Sequence, residues 1–205
     1  VNAADQFLIT GLYLFAFLPA ALLLQYARLR VQNLWAARPD PELGRKAVCH
    51  LFLTVAILLG LFGVTVSVAD LALRAVEPLK QAQNPAPAGA APAPTPWFNS
   101  SQRTAAAFAL SGLLHGTLFA LVLRLFTNDH IAPAVRRSHY GLRLVLACAI
   151  WMFGGTAVLL ILFGEGSMNW DSLALLSPLV LVWGPTAAVH LWLLLRDERR
   201  PAGDE

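Results

Sequence analysis

One histidine, His115, lies midway along an apolar run, in the segment Ser111-Gly-Leu-Leu-His-Gly116. A neutral imidazole nitrogen can ligate haem iron or chlorophyll magnesium. The small residues four before and one after it would let a flat macrocycle or a second helix approach closely. The same ring could instead make an interhelical hydrogen bond, to a hydroxyl such as Thr156 or to a carbonyl. A second polar feature is Asp70, in Ser-Val-Ala-Asp-Leu-Ala-Leu-Arg74. Asp70 and Arg74 are four residues apart and share one helix face, so a structural ion pair that ends a helix is expected ahead of a proton or cation relay. Ion-driven transporters place such a carboxylate nearer the midplane, often beside a broken helix.

The remaining histidines are less suited to ligation. His50, His139 and His190 fall toward the ends of apolar runs and are expected to face lipid headgroups, while His130 is a loop residue. At about 1.5 Å of rise per residue, His115 and His190 differ in depth by roughly 13 Å, which makes them poor joint ligands for one haem. The chain has no phosphate-binding Gly-rich loop, no G-x-S-x-G, no H-E-x-x-H and no cysteine pair at metal spacing. No catalytic or metal-ligating residue is therefore assigned.

The elements that must position these side chains are five apolar stretches, at about residues 7–26, 49–73, 104–126, 141–164 and 172–195. Each reaches or exceeds the roughly 20 residues that a helix needs to cross a bilayer. A mean hydropathy of +0.59, 57% hydrophobic residues and 13% charged residues argue against a soluble domain. The expected fold is all-α: a polytopic membrane protein of five transmembrane helices, arranged as two related hairpins plus one helix. No basic region precedes the first stretch, so it reads as a span rather than a cleavable leader. Cys49 and Cys148 both fall within spans, which argues against a structural disulfide.

The pI of about 9.2 reports topology rather than a nucleic-acid face. Of 15 basic residues, 12 flank the first and third loops or follow the last span, and only Arg74, Lys80 and Arg103 lie on the other side. The positive-inside rule then places the N-terminus outside and the C-terminus in the cytoplasm of a bacterial inner membrane. Trp35, Trp97, Trp170 and Trp192 lie near span ends, as an aromatic belt requires.

Four segments follow: a first hairpin over 1–76, an outer Pro/Ala-rich loop over 77–103, a second hairpin over 104–166, and a fifth span with its cytoplasmic tail over 167–205. The loop favours extended polyproline-like structure. It reads as a linker, or as a strap on a partner with Trp97 and Phe98 as the contact. A shift of 91 residues lays the second span on the fourth: Arg45 on Arg136, Lys46 on Arg137, Phe62-Gly63 on Phe153-Gly154 and Thr65 on Thr156. That pattern suggests internal duplication.

The first hairpin carries Trp35, then Asp40-Pro-Glu42 and Arg45, before its second apolar helix. The second copy keeps Arg136-Arg137-Ser138 and Tyr140, and the last span ends in His190-Leu-Trp192. In these features the chain resembles an uncharacterised bacterial family of tandem transmembrane-hairpin proteins. The resemblance implies architecture and no activity.

The expected role is non-catalytic: an accessory or scaffold subunit packed against a larger inner-membrane complex, with energy-transducing complexes among the candidates. Its partners would be lipid and other integral membrane subunits, not nucleic acid. Gly11, Gly60, Gly63, Gly112, Gly116, Gly154 and Gly155 are candidate close-packing positions. No cofactor is needed for that role. The alternatives are a haem- or chlorophyll-binding subunit using His115, and a small transporter or channel relying on Asp70.

Overall fold

In lipid every backbone polar group must bond within its own segment, so long apolar runs fold as helices. The computed structural model describes residues 20–36, 39–83, 100–127, 134–164 and 169–198. Its regular structure is helical: α1 over residues 20–34, α2 Leu43–Gln83, α3 Ser100–Phe126, α4 Ala134–Phe163 and α5 Trp170–Glu198. The last four are long and apolar enough to cross a membrane. Most of the expected first span lies outside the described residues, as do Gly11, His130, Trp97 and Phe98.

Contacts define the directions. His50 and Thr54 of α2 meet His139 and Arg143 of α4 in the same order, so these helices run parallel. Gly60 and Asp70 of α2 meet Gly112 and Gln102 of α3 in reverse order, and α3 is antiparallel. α5 is antiparallel to both α2 and α4, through Trp183–Thr65 and Leu179–Gly154. One end of the bundle thus gathers the starts of α2 and α4 and the close of α5 with their arginines and lysine; it is called the basic end below.

The principal packed pairs are α2–α3 and α4–α5, with α5 also lying along α2. This pairing is offset by one helix from the expected second hairpin, because α3 and α4 form no principal pair. The reason is the small-residue face of α3. A Cβ on Gly112 would collide with the backbone of Gly60 and with Ala56 O, and one on Gly63 would lie 2.5 Å from Ala105 O. The two backbones touch, which only glycine permits at such a crossing. On the other side, a Cβ on Gly154 would lie 2.5 Å from Leu179 Cβ. Gly155, by contrast, meets nothing within 4 Å and takes no part in these contacts.

The stripe Leu22, Gln25, Leu29, Asn33 turns α1 toward the bundle, at helical spacing. Leu22 joins a core of Leu58, Ala147, Leu179, Trp183 and Ala187, and Leu29 packs with Leu43, Ala47 and Val135. Deep in that core the Trp183 indole N–H donates to Thr65 Oγ1 at 3.0 Å. Lipid tails are as apolar as leucine, so close packing and such buried hydrogen bonds, rather than hydrophobic transfer, hold the helices together.

Candidate functional site: a buried polar knot at the basic end

The turn into α2 is built by Asn33 and Asp40. Asn33 Nδ2 donates to Asp40 O at 3.2 Å, and Asp40 N–H donates back to Asn33 Oδ1 at 2.7 Å. Asp40 Oδ1 then accepts the Glu42 N–H at 2.9 Å, an Asx turn that delivers the chain into the helix. The other carboxylate oxygen, Oδ2, lies 2.6 Å from Lys46 Nζ. Lys46 is fully buried, so this pair sits inside the protein rather than on a solvated face. Arg45 pairs with Glu42 one turn away, at the surface.

One turn deeper, α2 and α4 exchange polar contacts. The His50 and His139 rings stack at 5.1 Å with 17° between planes. Thr54 Oγ1 donates to His50 O at 2.7 Å, which uses its only proton. It therefore accepts the other two bonds it makes: from Arg143 Nε at 3.0 Å and from His139 Nδ1 at 3.3 Å. That assigns the His139 proton to Nδ1. Arg143 also reaches His50 O through Nη2 at 3.5 Å and lies 5.9 Å from the centre of the Tyr140 ring. Tyr140 meets His190 of α5 edge to face at 6.4 Å, and His190 Nδ1 donates to Thr186 O at 2.8 Å. On α4 the buried residues are Val135, His139, Arg143, Ala147 and Gly154, one stripe at spacings of four and seven, of which His139 and Arg143 lie in the knot.

The end of α5 closes the cluster. Asp197, almost fully buried, accepts Arg136 Nε on Oδ2 at 2.8 Å. Arg137 Nη2 donates to Asp197 O at 2.5 Å, placing a cation on a carbonyl at the helix C-terminus, where the dipole favours it. Gln25 of α1 donates to Ser138 Oγ at 2.8 Å. All four elements α1, α2, α4 and α5 are thereby tied at one level. The bonds here are mutual, and their chemical consequence is rigidity. Among the described residues, no three His, Cys, Asp or Glu side chains converge as a metal ion would require.

Removing one partner of a buried pair costs roughly 3–5 kcal/mol, whereas replacing both with well-packed neutral residues is often close to neutral. Lys46→Met alone is expected to lower the unfolding midpoint in detergent strongly. Combined with Asp40→Asn, which keeps the Oδ1 acceptor for the Glu42 N–H, most of that loss should return. A double variant no more stable than Lys46→Met would show that the pair is not the source.

This knot corrects the expectation that His50, His139 and His190 face headgroups: they are 2%, 3% and 6% exposed. The basic ends of α2, α4 and α5 cover one another, and each ring finds a hydroxyl, a carbonyl or another ring there. Thr54, Arg143 and Lys46, unremarked in the sequence as site residues, supply most of the partners. Their signal was present in the i, i+4 pairs His50/Thr54 and His139/Arg143 at the mouths of two runs.

His115 is elsewhere. It is exposed on α3, and its Nδ1 lies 2.8 Å from Ser111 O and 3.3 Å from Ser111 Oγ, both on its own helix. The anticipated interhelical bond is thus replaced by an intrahelical one. At the far end of the bundle, Arg74 Nε donates to Asp70 Oδ2 at 3.0 Å, and Gln102 Nε2 of α3 donates to the same oxygen at 2.6 Å. Asp70 is therefore held by two helices. Beyond it, Lys80 lies 2.8 Å from Asp171 and 3.1 Å from Glu77, linking α2 to the start of α5. Cys49 and Cys148 are free thiols. Trp35 and Trp192 stay exposed at the basic end, with Arg196 4.9 Å over the Trp192 ring.

Fold and site together define an all-helical membrane protein. No family model matches the chain, and no curated protein or solved structure matches it significantly.

Proposed function

We propose that this protein is a non-catalytic accessory or scaffold subunit of a larger inner-membrane complex, with energy-transducing complexes among the candidates. In this reading the segment before α1 completes a fifth span. The chain enters from outside, the basic end faces the cytoplasm, and the tandem-hairpin family it resembles shares the architecture.

The observation that carries the proposal is the shape of α2 and its neighbour. At about 1.5 Å per residue, the 41 residues of α2 extend roughly 60 Å, twice the hydrocarbon thickness of about 30 Å. The helix runs on past Arg74 to Gln83 as a strut, with Leu79 exposed on it. α3 rests on α2 alone among its principal contacts, and Leu110, Leu114, Leu118, Leu121 and Leu125 remain uncovered. A rigid polar knot inside, a helix longer than a bilayer is thick and an uncovered neighbour suit a part that holds other subunits in place. The saturation of Asp70 by Arg74 and Gln102 weighs against an ion relay there.

Gentle extraction from native membranes, followed by size analysis and mass spectrometry of co-purifying subunits, tests the reading. Recovery in a defined assembly with other integral membrane proteins is expected; recovery as a partner-free monomer would overturn it.

A further inference from the structure

The exposed charges at the two ends of the bundle differ in kind. At the far end Glu77 and Asp171 are about half exposed and share Lys80, so cation and carboxylates offset one another. At the basic end the described carboxylates are already committed. Asp197 is buried on Arg136, Asp40 is turned onto buried Lys46, and Glu42 is held by Arg45. Five exposed arginines ring that end: Arg28 and Arg30 of α1, Arg45 of α2, Arg124 of α3 and Arg196 of α5. Among the described residues, Arg45 alone of these five has a carboxylate partner.

The helix contacts bring these arginines to one height. The His50–His139 stack sets the start of α4 level with Lys46 and Ala47 of α2. Arg136 bonds Asp197 there, which brings the neighbouring Arg196 to the same level. Leu29 packs with Leu43, Ala47 and Val135, so Arg28 and Arg30 on either side of it stand level too. On α3, Phe119 stacks on Phe52, and Arg124, further along toward the basic end, comes opposite Ala47. At about 1.5 Å of rise per residue, all five lie within roughly one helical turn of one another along the axis.

Beneath the arginines the surface is apolar. Leu24 stands one turn deeper than Arg28, Tyr26 than Arg30, Val48 than Arg45 and Trp192 than Arg196, and all four are exposed. Arg196 itself lies 4.9 Å over the Trp192 ring. A cation one turn above an exposed apolar side chain, repeated on three helices, matches the phosphate and acyl chain of a phospholipid. An acidic soluble partner would meet the arginines and leave the apolar residues uncovered. A zwitterionic headgroup carries its own cation, so guanidiniums without carboxylate partners favour a headgroup of net negative charge.

We infer that the basic end carries a collar that selects anionic phospholipids. Arg28, Arg30, Arg45, Arg124 and Arg196 hold the phosphates, and the acyl chains lie on the apolar side chains beneath. The collar uses none of the uncovered leucines of α3, so it and the scaffold role can each fail without the other.

The full chain is reconstituted in phosphatidylcholine bilayers doped with spin-labelled phosphatidylglycerol or spin-labelled phosphatidylcholine. The motionally restricted part of the electron paramagnetic resonance spectrum then counts the lipid held at the protein surface. An association constant roughly threefold or more larger for phosphatidylglycerol is expected, falling toward that of phosphatidylcholine as salt is raised. Arg28→Gln, Arg30→Gln, Arg45→Gln, Arg124→Gln and Arg196→Gln, combined in one protein, should abolish the preference and leave the unfolding midpoint in detergent unchanged, since the side chains are exposed. Lysine at the same positions should keep most of the preference, which separates lost charge from a disturbed fold. Equal association of the two lipids with the parent, a combined Gln protein that keeps the preference, or a combined Lys protein that loses it would overturn the collar. So would a preference abolished by inorganic phosphate but not by chloride at equal ionic strength, which would mark a site for a soluble anion.

Discussion

Arg143→Ala is expected to destabilise the bundle by about 3 kcal/mol, a large loss relative to most single substitutions. Arg143 is 4% exposed and supplies two donors to α2, at Thr54 Oγ1 and at His50 O. A hydrogen bond from a charged group contributes about 1.5–3 kcal/mol, and here the acceptors left behind are buried. Thr54 would keep its own donation to His50 O but lose one of the two protons it receives. Arg143→Lys should recover little, because a single ammonium lacks the fork that spans both acceptors. Unfolding in a graded denaturing-detergent titration, followed by circular dichroism, measures the effect. An Arg143→Ala midpoint equal to the parent's would remove the knot from the stability account.

Gly112→Leu should separate α3 from α2 while the α4–α5 pair persists. Small-to-large changes in packed interiors cost about 1–3 kcal/mol when side chains can adjust. At Gly112 the obstruction is backbone, Gly60 N and Cα and Ala56 O, so no rotamer change relieves it and the cost should exceed that range. The Phe52–Phe119 stack at 5.0 Å offers a reporter. With cysteines at these two positions and the native cysteines replaced, a short bis-maleimide should cross-link the parent efficiently and the Gly112→Leu protein poorly. Gly155→Leu, at a site with nothing within 4 Å, should cross-link as the parent does. Equal cross-linking in all three would contradict the close approach.

These two sites differ in how readily the sequence reveals them. The glycines stand out because an apolar helix has little other use for them, and Gly60, Gly63, Gly112 and Gly154 do lie at helix crossings. Which helices they join is another matter. The 91-residue shift relates α2 to α4, and the two lie parallel in contact at the basic end. Chain order nevertheless suggested α3 with α4, whereas shape complementarity pairs α3 with α2.

Helix ends were also only partly legible. The run at 49–73 marks where lipid is tolerated, but the hydrogen-bond ladder of α2 continues from Leu43 to Gln83 through charged residues. Pro78 falls near the end of that helix, and Pro178 and Pro185 lie inside α5, positions that hydropathy cannot distinguish from span interior. Burial of the histidines was hidden for a different reason. A headgroup-facing ring is the natural expectation for one helix end considered alone. Only a second helix end beside it, with Arg143 and Thr54 at matching depth, makes the interior the better solvent for His50 and His139. His115 showed the reverse: its mid-span depth could be read from the run, but its exposure and its bond to Ser111 O depend on which face α3 gives to α2.

The central claim is that the strut of α2 and the open surface of α3 hold another membrane protein. Photo-cross-linking amino acids at Leu79 and at Leu114, introduced singly and activated in native membranes, test it most directly. Both residues are exposed, and they lie on different helices. Discrete cross-links from both positions to the subunits of one complex are expected, with no cross-link from a probe placed at buried Leu58. Probes at Leu79 and Leu114 that react only with lipid, in a protein that is otherwise folded, would contradict it.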